Sequence, residues 1–206
     1  RTRPQLSSFQ FEQVGRTRVD PYHWLKDENW QKVMQDPSVL RADIRDYLTA
    51  ENTYTKSALE EPTKDLRETL FREMRARIKE DDSSVPDTDG PFAYYTRYRQ
   101  GGEYPVFARR PADRAFDDGA PETVLLDGDK EGDGAAFYKI GGVEHSRDHK
   151  LLAFAYDDQG SEYYTLKVRD LQTGENTDLT IENTHGDFAW AAGSDGLYWV
   201  KRDANG

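Results

Sequence analysis

The stretch SRDHKLLAFAYDD at 146–158 joins a polar turn to an apolar strand, and GSDGLYWVKRD at 193–203 repeats that combination. Leu152 and Leu197, which hold matching places in the two stretches, are 45 residues apart. A period of this length, made of short strands and polar turns, is typical of one four-stranded blade of a β-propeller. A single blade leaves apolar surface on both faces, so several blades have to stack in a ring. The repeat predicts a mainly β fold with about two and a half blades in this chain.

Residues upstream of the blades have helical periodicity. Trp30, Val33 and Met34 share one face of a short helix, with Asp27 as its expected cap. Asp36-Pro37 is typical of a further helix start. Another helix is predicted by apolar residues in steps of four after Pro62: Leu66, Leu70, Met74 and Ile78. We therefore expect an N-terminal helical extension over 1–80 and the initial blades of an incomplete propeller over 81–206.

Alternating apolar residues and turn signals place the strands of the second region. A hairpin is predicted across Gly101-Gly102, and Thr173–Asn176 is predicted to be a hairpin turn. The stretch 87–91 is expected to be a turn-rich boundary. The predicted strands are Phe92–Arg99, Pro105–Arg110, Thr123–Leu126, Lys150–Tyr156, Tyr163–Val168 and Gly196–Lys201.

Composition limits the classes of function. The net charge is −11, which argues against nucleic-acid binding because that function needs a basic surface. Leu, Ile, Val and Phe supply only about 18% of the residues, a value that together with this charge is typical of disorder. The periodic placement of these residues, with 12 Tyr and 4 Trp, favours a folded chain whose core is completed by further sequence. No apolar run is long enough to span a membrane, and cysteine is absent, which suits a reducing compartment.

The segment Glu144–His149 contains every ingredient of a serine-hydrolase triad. A working triad needs its members to converge from distant segments, with the nucleophile on a sharp elbow, and no G-x-S-x-G occurs in the chain. We therefore expect an ordinary blade turn in which Ser146 and Asp148 bond local backbone groups. His145 and His149 are spaced like two helical metal ligands, but in a turn leading into a strand their side chains need not converge.

Two other groups of residues are interpreted as structural. DGDKEGDGAAFY at 127–138 resembles a calcium loop, with Gly132 at the sharp turn, but Glu131 and Tyr138 replace the residues expected at positions five and twelve. It is expected to be an acidic surface loop. Packing is also the expected role of the aromatic residues and their neighbouring arginines: Tyr94, Tyr95, Tyr98, Tyr104, Arg97, Arg99, Trp190 and Trp199. The sequence thus assigns no catalytic, substrate-binding or metal-ligating residue and no cofactor.

Several motifs together resemble the N-terminal third of the prolyl oligopeptidase family of serine peptidases, most closely the oligopeptidase B (protease II) branch. The similarity covers nearly the whole chain. The motifs that carry it are DPYHWLKDE (20–28), RIKEDDSSVP (77–86), YYTRY (94–98), GGEYPVFARR (101–110) and DHKLLAFAYDDQGSEYYTLKVRDLQTGE (148–175). Lys26 stands where the family commonly has an acidic residue.

The resemblance implies a longer protein in which an N-terminal helical segment packs on a C-terminal α/β-hydrolase domain. That domain carries the Ser-Asp-His triad and is expected to be absent from this chain, and a seven-bladed propeller filters its substrates. The implied activity is hydrolysis of short peptides after Arg or Lys, with this chain inactive alone. Expected partners are short basic peptides and the hydrolase domain, with no nucleic acid and no membrane. A cytoplasmic location is expected, and a periplasmic location is the alternative. A prolyl-specific oligopeptidase and a non-catalytic propeller interaction module are the alternatives.

Overall fold

The computed structural model describes residues 8–203 and divides into two compact units, with the boundary between Ile78 and Lys79. Among the described residues, no helix has the length and apolar character needed to cross a membrane. The helices are α1 (Trp30–Gln35), α2 (Ala42–Thr55), α3 (Lys64–Arg75) and α4 (Gly128–Glu131). Short 3-10 turns cover His23–Leu25, Pro37–Val39 and Ala112–Arg114, and a π-helical turn, Lys56–Glu60, follows α2.

The first unit begins with a hairpin that the sequence analysis missed. Strand β1 (Phe9–Gln13) pairs with β2 (Arg16–Asp20) across Val14 and Gly15, whose φ angles are 52° and 68°. A two-residue turn with positive φ at both positions matches the twist of a hairpin. Val is an unusual residue at such a position, so the turn was not evident from the sequence, and the alternation of Phe9 and Phe11 in β1 was overlooked.

The predicted helix starts are partly confirmed. The Asp36 carboxylate accepts a hydrogen bond from Ser38 N at 2.9 Å, but it caps the 3-10 turn, and α2 begins only after Arg41. Asp27 does not cap α1 as expected. Its carboxylate accepts hydrogen bonds from the backbone N–H groups of Asn29 at 2.8 Å and Arg41 at 3.0 Å, and so joins two loops. These hydrogen bonds, that of Arg41 first, lower the pKa of Asp27.

The second unit contains two antiparallel sheets. The first has the strand order β3-β4-β5-β6 and the second has the order β7-β8-β9-β10-β11. Their strands are β3 (Asp87–Asp89), β4 (Phe92–Arg97), β5 (Val106–Pro111), β6 (Thr123–Asp127), β7 (Lys139–His145), β8 (Leu151–Asp157), β9 (Tyr164–Asp170), β10 (Asn176–Trp190) and β11 (Leu197–Lys201). All six predicted strands are confirmed, and strands β3, β7 and β10 were missed.

Strand β10 belongs to two successive repeats. Its first half pairs with β9, from Asn176 to Thr184, and its second half pairs with β11, from Thr184 to Trp190. Within the repeat, His145 lies opposite Leu152 on β7 and β8, and Trp190 lies opposite Leu197 on β10 and β11. The 45-residue period therefore corresponds to the first strand of a repeat, a turn and the second strand. We call the first strand of each repeat, β3, β7 and the second half of β10, its inner strand. This confirms the predicted mainly β propeller architecture.

Strand β8 is buried on both faces. Ala153 and Ala155 contribute to one core cluster together with Trp190, while Leu152 and Phe154 contribute to another. The second cluster also contains Leu125 and Leu126 of β6, so it lies between the two sheets. Burial on both faces explains why LLAFAY is almost continuously apolar rather than alternating. Stacking of neighbouring blades is thus the source of the core.

Candidate functional site

The turn between β7 and β8 uses its serine for structure. Ser146 is fully buried, and its hydroxyl donates a hydrogen bond to Asp148 Oδ1 at 2.7 Å and accepts one from Leu151 N at 2.9 Å. Asp148 Oδ1 also accepts a hydrogen bond from Lys150 N at 3.3 Å. The hydrogen bond from the Ser146 hydroxyl is the largest cause of the lowered pKa of Asp148. These contacts confirm the predicted blade turn, which has both polar side chains bonded within the turn.

The two histidines of this turn converge on the first sheet, contrary to expectation. His145 Nε2 lies 3.0 Å from Asp89 Oδ2 at the end of β3, and His149 Nδ1 lies 2.9 Å from the Tyr94 hydroxyl on β4. His149 has a φ of 62°, in the left-handed region, at the end of the turn. The Tyr94 ring stacks on the His145 ring with centroids 3.7 Å apart. Sequence spacing could not show this, because the partners come from another blade.

Asp89, His145 and His149 form an inter-blade cluster with Tyr94 beside it. Their surroundings fix the charges of Asp89 and Tyr94 at neutral pH. The hydrogen bond from His145 is the first cause that lowers the pKa of Asp89, so Asp89 is a carboxylate. Burial raises the pKa of Tyr94, so Tyr94 stays a phenol. Arg109 is the nearest buried cation, and its Nη1 donates to the His149 carbonyl oxygen at 2.7 Å. The cluster is therefore a polar junction between β3–β4 and the β7–β8 turn.

An equivalent junction joins the second and third repeats. Trp190 Nε1 donates to the Glu144 carbonyl oxygen at 3.0 Å, and Asp148 N donates to the Ser194 hydroxyl at 3.1 Å. Trp190 is buried in the core, as its predicted packing role requires, whereas Trp199 on β11 is largely exposed. Each turn between an inner strand and its successor therefore contacts the corresponding turn of the adjacent repeat.

The acidic segment 127–138 is a structural junction rather than a calcium loop. Arg99 donates to both oxygens of Asp127, at 2.8 and 2.5 Å, and Asp129 accepts the backbone N–H groups of Glu103 and Tyr104. Glu131 accepts a hydrogen bond from Arg169 at 2.8 Å. The expectation of a surface loop is wrong for Asp127, which is buried, because arginine from the neighbouring loop compensates its charge.

The aromatic and arginine residues of β4 also have structural partners. The Tyr95 hydroxyl donates to Glu122 at 2.6 Å, and Arg97 donates to both Glu122 oxygens at 2.9 and 2.7 Å. The Arg97 hydrogen bond is the first cause that lowers the pKa of Glu122 to about 2. These contacts confirm the predicted packing for Tyr95, whereas Tyr94 packs against His145 of the second sheet and Tyr98 is exposed.

The inner strands of adjacent repeats approach each other closely. A Cβ on Gly142 of β7 would lie 2.9 Å from the carbonyl oxygen of Gly186 and 2.9 Å from the Phe188 ring, so glycine is required there. Acidic side chains are exposed on these inner strands: Asp87, Asp89, Glu144 and Asp187. A cleft of about 300 Å³ lies between the two sheets and is lined in part by Tyr94 and His145.

Repeated four-stranded sheets with an apolar core between them define this unit as part of a β-propeller domain. The family model for the prolyl oligopeptidase N-terminal beta-propeller domain matches residues 4–206. The chain therefore belongs to the prolyl oligopeptidase family, as the sequence motifs indicated.

Its relatives include dipeptidyl aminopeptidase BI of Pseudoxanthomonas mexicana, at 36% identity over 92% of this chain and 26% of that protein. Protease 2 of Moraxella lacunata is 29% identical over 92% of this chain and 26% of that protein. The chain thus spans about a quarter of the length of these curated relatives.

Solved structures with the same fold include two oligopeptidase B enzymes. The enzyme of Leishmania major has a TM-score of 0.79 and 28% identity, over 91% of this chain and 25% of that one. The closed form from Trypanosoma brucei with covalently bound antipain has a TM-score of 0.77 and 26% identity, over 98% of this chain and 29% of that one.

Proposed function

We propose that this chain is the N-terminal and propeller part of a serine oligopeptidase that hydrolyses short peptides after Arg or Lys. The observation that carries the proposal is the likeness to two oligopeptidase B structures over at least 91% of the chain. The catalytic triad is proposed to belong to the hydrolase domain of the complete protein, so the chain by itself is expected to be inactive. Ser146 is not proposed as the nucleophile, because its hydroxyl is buried and used within a turn.

The charge of the chain supports a preference for basic peptides. The net charge is −11, and the inner strands expose the carboxylates of Asp87, Asp89, Glu144 and Asp187. Negative potential concentrates cationic ligands near the surface and raises their rate of encounter, and the effect decreases with ionic strength. Association of basic peptides is therefore expected to be faster at low salt than at high salt.

The proposed role of the blades is to restrict access by size. Close approach of β7 and β10, permitted by Gly142 and Gly186, keeps adjacent inner strands near each other. A ring of such sheets encloses a narrow channel, which a short flexible peptide can pass and a folded protein cannot. Restricted access also limits which substrates reach the nucleophile.

The product of the complete gene tests the activity. It is expected to hydrolyse an Arg-linked reporter peptide faster than the matched Pro-linked reporter, and to lose this activity with a serine-directed inhibitor. The Ser146→Ala variant is the matched control for the nucleophile and should keep its activity. Faster cleavage of the Pro-linked reporter would move the protein to the prolyl-specific branch, and no hydrolysis of either would favour a non-catalytic interaction module.

A second candidate activity is removal of dipeptides from peptide N-termini. The observation that favours this second activity is that the relative at 36% identity is named a dipeptidyl aminopeptidase. A reporter with a free N-terminal dipeptide and the same reporter with a blocked N-terminus distinguish the two activities. Exclusive cleavage of the free form would support the dipeptidyl aminopeptidase activity, and cleavage of the blocked form would support the oligopeptidase.

We also propose that residues 1–80 pack against the hydrolase domain. Leu66, Leu70 and Met74 of α3 are about half exposed, and an apolar helix face of this kind gains most of its stability from a partner surface. Hydrogen exchange in α3 should be slower in the complete gene product than in the 206-residue chain, and equal exchange in both would contradict this docking. A cytoplasmic location is the accompanying proposal, which cell fractionation tests.

A further inference from the structure

The junction between the first two sheets brings together one carboxylate and two imidazoles: Asp89, His145 and His149. One ligand atom of each lies within 4.8 Å of the other two. Within residues 8–203, no other three His, Cys, Asp or Glu side chains meet in this way. We propose that this inter-blade cluster binds a divalent transition-metal ion of the zinc class.

The orientation of both imidazoles suits metal binding. His145 Nε2 and Asp89 Oδ2 lie 3.0 Å apart, close to the spacing of about 3.4 Å between neighbouring ligands of tetrahedral zinc. Asp89 and His145 therefore already stand at the separation of two ligands of one ion. The His149 ligand atom lies within 4.8 Å of the other two, so a movement of at most about 1.4 Å brings it to the same spacing.

His149 has a supporting partner of the kind that metal-bound histidines use. Its Nδ1 lies 2.9 Å from the Tyr94 hydroxyl, and donation of Nδ1–H to that oxygen leaves the Nε2 lone pair free for a metal. Nε2 lies beside Gly90, where an added Cβ would come within 2.6 Å of it. Glycine at this position therefore leaves room for the His149 ring against the turn that carries Asp89.

The donor set determines the class of ion. Two imidazoles and one carboxylate, with water in a fourth position, suit zinc, cobalt and nickel, whereas calcium and magnesium prefer oxygen ligands throughout. The Asp89 side chain is 62% exposed, which provides a path from solvent. Arg147 acts electrostatically on Asp89 and opposes a bound cation, so the affinity is expected to be lower than it would be without this charge. Arg109 is occupied by the His149 carbonyl oxygen.

A bound ion would connect two blades directly. Asp89 ends β3 of the first sheet, while both histidines lie at the β7–β8 turn of the second sheet. Coordination would replace the single hydrogen bond between Asp89 and His145 by metal bonds to all three side chains. The expected consequence is slower local opening of this junction, because the ion binds only the closed arrangement.

Metal titration of the purified, chelator-treated protein without a polyhistidine tag tests the site. Zinc is expected to bind with one ion per chain by calorimetry, and cobalt is expected to produce visible absorption bands of a low-symmetry site. Asp89→Asn and His149→Gln should each weaken zinc binding at least tenfold, and Tyr94→Phe should weaken it about 10- to 100-fold. The matched control is His185→Gln, because His185 pairs with Asp187 away from the cluster and should not affect binding.

Hydrogen exchange gives a readout that does not depend on the histidine variants folding. Zinc should slow exchange in segments 87–91 and 145–150 of the wild-type protein but not of Asp89→Asn, which alters an exposed side chain. The proposal is wrong if millimolar zinc shows no saturable binding. It is also wrong if Asp89→Asn binds as tightly as the wild type, or if His185→Gln causes the same loss as the cluster variants.

Discussion

Replacement of Glu122 by Gln should destabilise the first sheet in a pH-dependent way. Glu122 connects two strand residues, because its carboxylate accepts hydrogen bonds from Arg97 and from the Tyr95 hydroxyl. Its side chain is 27% exposed, so solvent screens the ion pair only in part. The Gln variant leaves the Arg97 guanidinium without a counter-charge in a half-buried place.

The pKa shift of Glu122 on folding determines how much its charged form contributes to the free energy of unfolding. Folding lowers this pKa from 4.5 to about 2, chiefly through the Arg97 hydrogen bond. One pKa unit corresponds to about 1.4 kcal/mol, and because water screens this partly exposed ion pair, the charged form of Glu122 is expected to contribute about 1–2 kcal/mol to the free energy of unfolding. Because the folded-state pKa is the lower one, this contribution is complete above pH 4.5 and is lost as the pH falls towards 2.

Denaturant unfolding of the wild type and Glu122→Gln, followed at a series of pH values, measures this contribution. The difference in unfolding free energy should be about 1–2 kcal/mol at pH 7 and should decrease steadily below pH 4.5. Glu175→Gln, in the exposed turn between β9 and β10, is the matched control and should change little. A difference that stays constant down to pH 2, or that is absent at pH 7, would refute the reasoning.

Three further substitutions probe the blade core and its turns. Phe154→Ala should reduce the unfolding free energy by about 3–5 kcal/mol, because Phe154 is 1% exposed between the two sheets. The control Phe116→Ala, at a side chain that is 78% exposed, should have little effect in the same denaturation assay. Gly142→Ala should lower the unfolding free energy by about 1–3 kcal/mol, because its Cβ would lie 2.9 Å from the Gly186 carbonyl oxygen. A melting temperature equal to that of the wild type would contradict this close approach. Ser146→Ala should lower the unfolding free energy by about 1–2 kcal/mol, because its hydrogen bonds within the turn are lost. The complete gene product should keep its peptidase activity with this substitution. Loss of activity in a folded variant would assign Ser146 a catalytic role.

Local patterns in the sequence were enough to predict much of the fold. The alternation in β4 and β5 and the near-continuous apolar run of β8 identified these strands, because side-chain periodicity reflects which strand faces are buried. The strands that were missed are those with weak local signals. Strand β3 consists of Asp-Thr-Asp, and β7 begins Lys-Ile-Gly-Gly, so their strand conformation comes from pairing with neighbours rather than from propensity.

The inter-blade cluster could not be predicted in the same way. Asp89 precedes His145 by 56 residues, and nothing in the spacing of His145 and His149 indicates a carboxylate partner. The acidic segment was likewise misjudged at Asp127, because its burial depends on Arg99 from a different loop. In both places the deciding partner lies on another strand pair.

The sequence alone determined the 45-residue repeat, the family and the stacking of apolar faces, because each of these is a periodic or contiguous property of the chain. Only the tertiary structure decided that β10 passes from one repeat to the next and that Asp89 meets His145 and His149. The physical reason is that stacking of one sheet on the next sets these contacts. Residues remote along the chain become neighbours only when the apolar surfaces between blades are buried.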